Sequence, residues 1–317
     1  MAELKIYGSR GSYGTDFPQC RGFGNSNTCV GLWLDKEVIF FDAGSGMPLA
    51  QKDIDKLEPD AVTIALTHYH ADHVSGILGT GQAFFNPRGV GTNLIGPYGL
   101  SRGLMRNLEG LNSPGNFSMY KNLNSLTQVP PGQRYRTTEG TEVRSFTAGW
   151  HPNDHRFKEG DLCFDFFRDH GVVAYTIDVE GMLVAVTSDQ EFRFSRGEDN
   201  VVKPVVNVNE RRDAFIGKVF GAQVLYADGQ FTEREYTGDF GLDVRGYGHA
   251  SMEEMVEMAK AARVKLLVLG HHKPGRSDTE LESLERKLQR ENPGQDLVFA
   301  RQGMKVDLES LNLSQVA

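Results

Sequence analysis

Along the first half of the chain, apolar residues come in short dense runs bounded by Gly or Asp, and each run predicts a β-strand. LKIYG (4–8), TCVGLWL (28–34) and EVIFFDAG (37–44) are rich in β-branched and aromatic residues, and Asp35 and Lys36 predict a hairpin between the last two. DAVTIALT (60–67) is almost wholly apolar, the pattern of a strand covered on both faces. Strands resume at EVRSFTAGW (142–150), CFDFFRDH (163–170), VVAYTIDVE (172–180) and MLVAVTSD (182–189), with hairpins at DHGV and VEGM. The polar stretch 191–210 reads as loop. In the last third the rhythm alternates. RRDAFIGKVFGA predicts a helix, QVLYADG (223–229) and VKLLVLG (264–270) predict strands, and Met252, Met255, Val256 and Ala259 form one helical stripe. Ser251 with Glu254 and Ser277 with Glu280 predict capping boxes, the second opening a helix that runs to about Glu291.

Residues 79–137 break this pattern with Gly, Asn, Pro and Ser, and only a short helix around 98–109 is predicted there. Their apolar content is too sparse for an independent core, so the segment reads as a lobe inserted into one domain spanning 1–317. That length is large for one domain but within the reach of two-sheet folds.

Composition narrows the function. The formal net charge is −8 with no Lys/Arg run, which disfavours long nucleic acid and favours small substrates. Cys20, Cys29 and Cys163 form no CxxC pair and read as free thiols in a reducing compartment. MAELKIYGSRGS carries no apolar signal core and no stretch is long and apolar enough for a membrane span, so a cytosolic protein is expected.

The strongest chemical signal follows the strand at 60–67, where THYHADH places His68, His70, Asp72 and His73 within six positions. Uncompensated, such a group would crowd desolvated imidazoles and carboxylates together, a cost that a divalent cation removes. Imidazole nitrogen and carboxylate oxygen are also the donors that zinc-like ions take. On an extended segment His68 and His70 point the same way and can share one ion, while Asp72 and His73, where the chain turns into a helix, can face a second. Further donors must come from elsewhere. His151, Asp189 and His271 each stand at or just beyond the end of an apolar run.

These stretches, FFDAGSG, THYHADH, AGWHP, VAVTSDQE and LGHHKP, resemble the metallo-β-lactamase superfamily in kind and in order over nearly the whole chain. The resemblance implies an α+β architecture, an αββα sandwich with a two-metal site on one edge. It assigns His68, His70 and His151 to the first metal, Asp72, His73 and His271 to the second, and Asp189 as the bridge. His271, the first residue after LVLG, is favoured over His272. Asp42 in FDAG matches a position that supports the ligand histidines, or is a turn aspartate. The implied cofactors are two divalent ions, zinc with Mn or Fe as alternatives.

YADGQFTEREY followed by GYGHAS is similar to the ribonuclease Z-like phosphodiesterase branch, in which an acidic residue after a strand pairs with a histidine that opens a helix; here these are Asp228 and His249. The resemblance implies hydrolysis of a phosphodiester by metal-activated water, with His249 as proton donor to the leaving group, Asp228 holding its tautomer, and Asp72 orienting the attacking oxygen. The 37 residues between His151 and Asp189 leave no room for the long basic arm of tRNA 3′-processing enzymes. The expected substrate is therefore a small phosphodiester, a cyclic nucleotide or cyclic ribose phosphate. A tRNA 3′-processing ribonuclease, a thioester or lactone hydrolase, and a non-enzymatic scaffold are the alternatives, and a homodimer is expected. Arg10, Lys273 and Arg276 are candidates for phosphate contact, with a surface position the plainer expectation for Arg10; His155 and His170 read as surface or turn residues.

Overall fold

The computed structural model describes residues 2–78, 90–108, 123–147, 149, 172–196 and 201–315. In chain order its strands are β1 (Glu3–Gly8), β2 (Cys29–Trp33), β3 (Glu37–Phe41), β4 (Ala61–Ala65), β5 (Thr92–Gly96), β6 (Leu123–Gln128), β7 (Arg134–Arg136), β8 (Glu142–Thr147) and β9 (Val173–Val179). They continue with β10 (Met182–Val186), β11 (Phe194–Arg196), β12 (Val202–Pro204), β13 (Val224–Asp228), β14 (Leu266–Gly270), β15 (Asp296–Phe299), β16 (Met304–Asp307) and β17 (Leu313–Gln315). The helices are α1 (Met47–Leu57), α2 (Ala71–Val74), α3 (Leu100–Leu108), α4 (Val208–Val219), α5 (Glu233–Tyr236), α6 (Met252–Ala261) and α7 (Asp278–Glu291).

The strands form an eight-stranded sheet ordered β17-β16-β1-β2-β3-β4-β5-β6 and a seven-stranded sheet ordered β15-β14-β13-β10-β9-β8-β7. Their facing residues fill one central core: Leu4, Ile6, Ile39 and Phe41 from the first sheet meet Tyr175, Ile177, Tyr226 and Val268 from the second. Alternate residues of the same strands face outward. Val38, Phe40, Val62 and Ile64 pack with Met47, Ala50 and Ile54 of α1. Leu225, Ala227, Leu267 and Leu269 pack with Phe215 of α4, Met255 and Val256 of α6, and Leu281 and Leu288 of α7. Covered on both faces, β3, β4, β13 and β14 are buried at every position and mostly apolar, with Glu37, Thr63 and Asp228 the exceptions, which explains why their sequences read as nearly unbroken runs. The layers are α, β, β, α.

Several sequence expectations need correction. Within 79–137, β5 and β6 extend the first sheet in parallel to β4, with Leu94 and Ile95 fully buried, so the segment completes the sandwich as well as interrupting its pattern. The stretch 191–210 is more than loop: β11 and β12 pair antiparallel, and α4 begins at Val208. Ser251 caps α6 by accepting from the Glu254 N–H, but the Glu254 carboxylate does not return the bond; it faces Arg193 at 3.1 Å. The Ser277–Glu280 box is complete. The strand expected at 163–170, the DHGV hairpin, Cys163, His155 and His170 lie outside the described residues.

Arg10 is neither at the surface nor in the pocket. It is fully buried and donates to the carbonyls of Gly24 (2.8 Å), Arg276 (2.8 Å) and Cys20 (3.2 Å). The guanidinium thereby joins the chain after β1 to the segment after β14. Arg276 is committed likewise, to the Gln230 carbonyl at 3.1 Å and to the Glu235 carboxylate.

Candidate active site

Five of the predicted site residues sit at or beyond the carboxyl ends of parallel strands. β3 and β4 run parallel in one sheet, and β10, β13 and β14 run parallel in the other. Asp42 follows β3, His68 follows β4, Asp189 follows β10, Asp228 ends β13 and His271 follows β14. In sheets of this kind, the crevice outside the carboxyl ends is where ligands are held. The chain after His70 turns into α2, which carries Asp72 and His73, and His249 lies just before Ser251, the N-cap of α6.

Asp189 is the hub. Its Oδ1 lies 3.0 Å from His271 Nε2 and 3.4 Å from His73 Nε2, and its Oδ2 lies 3.7 Å from His68 Nε2 and 3.9 Å from His249 Nε2. Asp72 Oδ2 is 3.3 Å from the Nε2 atoms of both His73 and His271, which themselves face each other at 3.3 Å. His70 is exposed and stands with its ring 4.6 Å from that of His68. His151 lies outside the described residues.

The surrounding hydrogen bonds fix which imidazole nitrogen faces the cluster. His73 Nδ1–H donates to Asp42 Oδ2 at 2.8 Å, and His249 Nδ1–H donates to Asp228 Oδ2 at 2.7 Å. His68 Nδ1 lies 3.0 Å from Thr67 Oγ1, whose hydroxyl in turn donates to Asp42. In each case Nδ1 is occupied and Nε2 is turned inward, the arrangement in which a neighbouring carboxylate or hydroxyl orients a ligating imidazole. Asp42 is therefore no mere turn residue. It also accepts the Thr67 N–H at 2.8 Å.

The field of these carboxylates calls for positive charge. Burial disfavours a proton on His73, yet Asp72, Asp42 and Asp189 hold its pKa well above the ordinary value. Burial likewise opposes protonation of His271, and Asp189 and Asp72 nevertheless push it up to about 10. For His249, Asp228 and Asp189 outweigh burial in the same direction. Asp72 shows the mirror image: burial would raise it, but His73 and His271 hold it far below the usual carboxylate range. A setting that stabilises cationic imidazoles in the interior also stabilises divalent cations, which would replace those protons. Three donor triads lie within 4.8 Å of mutual approach: His68, His73 and Asp189; Asp72, His73 and His271; and Asp189, His249 and His271. Nitrogen and oxygen donors at this density fit zinc-like ions.

Backbone strain accompanies this arrangement. Asp42 and His271 both adopt left-handed conformations, with φ of 57° and 53°. Such positions cost about 1–3 kcal/mol each and persist where the surroundings over-determine them.

Sequence reasoning missed several supports. The Ser12 N–H donates to Asp72 Oδ2 at 2.6 Å, and Ser188 Oγ donates to Asp189 Oδ1 at 3.0 Å. Gly11 leaves room for His271, because a Cβ there would stand 2.4 Å from the imidazole. The one available signal was adjacency, since Thr67 and Ser188 directly precede a predicted site residue. His272 takes no part in the cluster: fully buried between Phe23 and Phe299, it donates Nε2–H to the Ala300 carbonyl at 2.9 Å.

A cleft of about 420 Å³ opens onto the cluster, lined by His70, Asp72, Asp189 and His249 on the reactive side and by Phe231 and Lys273 beside them. Lys273 also pairs with Glu235 at 2.9 Å.

Donors that could hold metal ions thus gather at the strand ends of an αββα sandwich, and comparison with known proteins identifies the class. Residues 38–272 match the family model of the beta-lactamase superfamily domain. The chain belongs to the metallo-β-lactamase superfamily, as a ribonuclease Z-like, metal-dependent hydrolase. It is 26% identical to Ribonuclease Z of Thermoplasma acidophilum, across 92% of this chain and 94% of that protein. The metallo-beta-lactamase fold protein YhfI from Bacillus subtilis superposes with a TM-score of 0.65 at 15% identity, covering 96% of this chain and 98% of that one. A diphosphatase from the PhnP family superposes with a TM-score of 0.62 at 16% identity, covering 99% and 100%. No described helix is long and apolar enough to cross a membrane.

Asp42 offers a direct test of the supporting bonds. Asp42→Asn keeps a residue type that tolerates φ of 57° but places an amide against the Thr67 and His73 donors. Metal affinity should fall about 10- to 100-fold, read by chelator titration of the loaded protein. Unchanged retention would remove Asp42 from the site.

Proposed function

We propose that this protein is a two-metal phosphodiesterase acting on small phosphodiesters, with cyclic nucleotides or cyclic ribose phosphates as the substrate class. The observation that carries the reading is the His249–Asp228 pair. Its 2.7 Å hydrogen bond fixes Nδ1–H on the carboxylate, and His249 Nε2 faces the cluster 3.9 Å from Asp189. A cationic imidazole so placed is suited to protonate a departing alkoxide, a step that a thioester or β-lactam substrate does not demand in the same form.

His68, His70 and His151 would hold one cation, Asp72, His73 and His271 the other, with Asp189 between them. When bound, the cations would supply Lewis acidity toward the phosphoryl oxygens and acidify the attacking water. Asp72 orients that water by accepting from it, and its own position is held by the Ser12 N–H. As the oxygen–phosphorus bond to the leaving group breaks, the His249 Nε2 proton passes to the departing oxygen and Asp228 stabilises the imidazole through Nδ1. Zinc suits the nitrogen-rich donor set, with Mn or Fe as substitutes. We extend the proposal to a cytosolic homodimer; the buried free thiols Cys20 and Cys29 support the reducing compartment alone.

A second reading, ribonuclease action of the tRNA 3′-processing type, is favoured by the near full-length likeness to Ribonuclease Z. One screen decides. Protein loaded with zinc, manganese or iron is offered cyclic and linear nucleotides, a cyclic ribose phosphate, a precursor tRNA, a thioester and a β-lactam, with product identification. Turnover of the small diesters is expected; turnover of the precursor tRNA alone would establish the second reading, and of the thioester alone would defeat both.

A further inference from the structure

The cleft has a second half that the hydrolytic chemistry does not use. Besides the imidazoles and carboxylates it is lined by Tyr13, Leu242 and Tyr247, together with buried Val244. Three of these are large and unusually open: Tyr13 is 62% exposed, Leu242 62% and Tyr247 40%. Scattered surface aromatics need no explanation, but these converge on the wall of a single cleft.

Their attachment matters as much as their exposure. Tyr13 adjoins Ser12, whose N–H grips Asp72 at 2.6 Å and whose hydroxyl accepts from Gln230 Nε2 at 3.0 Å. Ser12 itself is held at φ of 57°, and the Gly11 N–H is anchored on the His272 carbonyl at 3.0 Å. Tyr247 stands two residues before His249, and the preceding Gly246 N–H donates to Glu191 Oε2 at 3.1 Å. The Tyr247 N–H closes a turn on the Val244 carbonyl at 3.2 Å. Each ring is thus carried on backbone tied within two residues to a group of the reactive centre.

We propose that Tyr13, Leu242 and Tyr247 form a nucleobase subsite, so that the enzyme selects phosphodiesters carrying an aromatic base over base-free sugar phosphates. This rests on the phosphodiesterase reading above and narrows its substrate class to nucleotides. The two tyrosine rings stack on the face of any base without demanding a particular hydrogen-bonding edge, while Leu242 only packs beside it, so preference among bases is weak while preference for a base is strong. A cleft of about 420 Å³ falls in the range that encloses ligands of mononucleotide size.

The test uses the full-length metal-loaded protein and two variants at exposed positions, Tyr13→Leu and Tyr247→Leu. The first readout is the ratio of kcat/KM for the 2′,3′-cyclic phosphate of adenosine to that for base-free cyclic ribose phosphate. The wild type should favour the nucleotide, and each variant should lower the ratio at least about fivefold, chiefly through KM, as expected for loss of a base-stacking partner. The second readout is equilibrium binding by calorimetry, with AMP and ribose 5-phosphate as probes. AMP should bind more tightly than ribose 5-phosphate, and Tyr247→Leu should erase most of the difference. Equal binding of the two probes, or a substrate ratio unmoved in both variants, overturns the subsite. Failure to hydrolyse either diester while AMP binding still depends on the tyrosines would overturn the phosphodiesterase reading and leave the subsite standing.

Discussion

Asp189→Ala should reduce turnover by roughly a thousandfold or more and strip the protein of much of its metal. The reason is geometric: no other described carboxylate approaches four imidazoles, at 3.0, 3.4, 3.7 and 3.9 Å. Stabilisation of transition-state charge by metal ions is worth several kcal/mol, and about 4 kcal/mol corresponds to three powers of ten in rate. Elemental analysis and steady-state kinetics of the same preparation read the two effects together, and circular dichroism checks that the sandwich persists. The fold should survive, because the core between the sheets contains no part of this side chain. Full metal content with wild-type turnover would show that Asp189 is only a buried polar residue.

His249→Ala should behave differently. Turnover should fall about 100- to 10,000-fold, the range associated with a positioned general acid, while metal content stays close to wild type. The loss should also depend on the leaving group. An alkyl diester, whose alkoxide needs a proton, should suffer far more than a p-nitrophenyl diester, whose phenolate departs unaided. Asp228→Asn should shift rates in the same direction, since an amide oxygen cannot stabilise the cationic ring as the carboxylate does through its 2.7 Å bond. Equal losses for both leaving groups would assign His249 to structure or metal retention and leave the alkoxide without a proton donor.

The convergence of the donor cluster was legible in the sequence for a physical reason. Parallel strands end side by side, so donors just past several apolar runs must converge whatever the intervening loops do. THYHADH, Asp189 and His271 obey that rule, and so in the structure does Asp228, which like His249 was singled out only by the resemblance to the ribonuclease Z-like branch. Partners set by long-range packing were not legible. Nothing near Arg10 in the chain reveals that its guanidinium bonds carbonyls at Cys20, Gly24 and Arg276. Glu254 has the right spacing to close a capping box, but the competing cation Arg193, far away in sequence, takes its carboxylate. β5 was hidden by its composition, since Thr92 and Asn93 are polar yet buried, with Asn93 Oδ1 accepting from Ser125 of β6 at 2.8 Å. The short strands β15 to β17 lack the length for periodicity to show.

The left-handed backbone at Asp42 and His271 is held in place by what their side chains touch. A glycine at either place would relax the main chain, yet at Asp42 it would leave the buried Thr67 and His73 donors unpaired and at His271 it would empty the space between Asp72 and Asp189. Engineering for thermal tolerance by placing glycine at left-handed positions therefore has nothing to gain at these two residues, where strain relief of about 1–3 kcal/mol is offset by lost pairing of similar size.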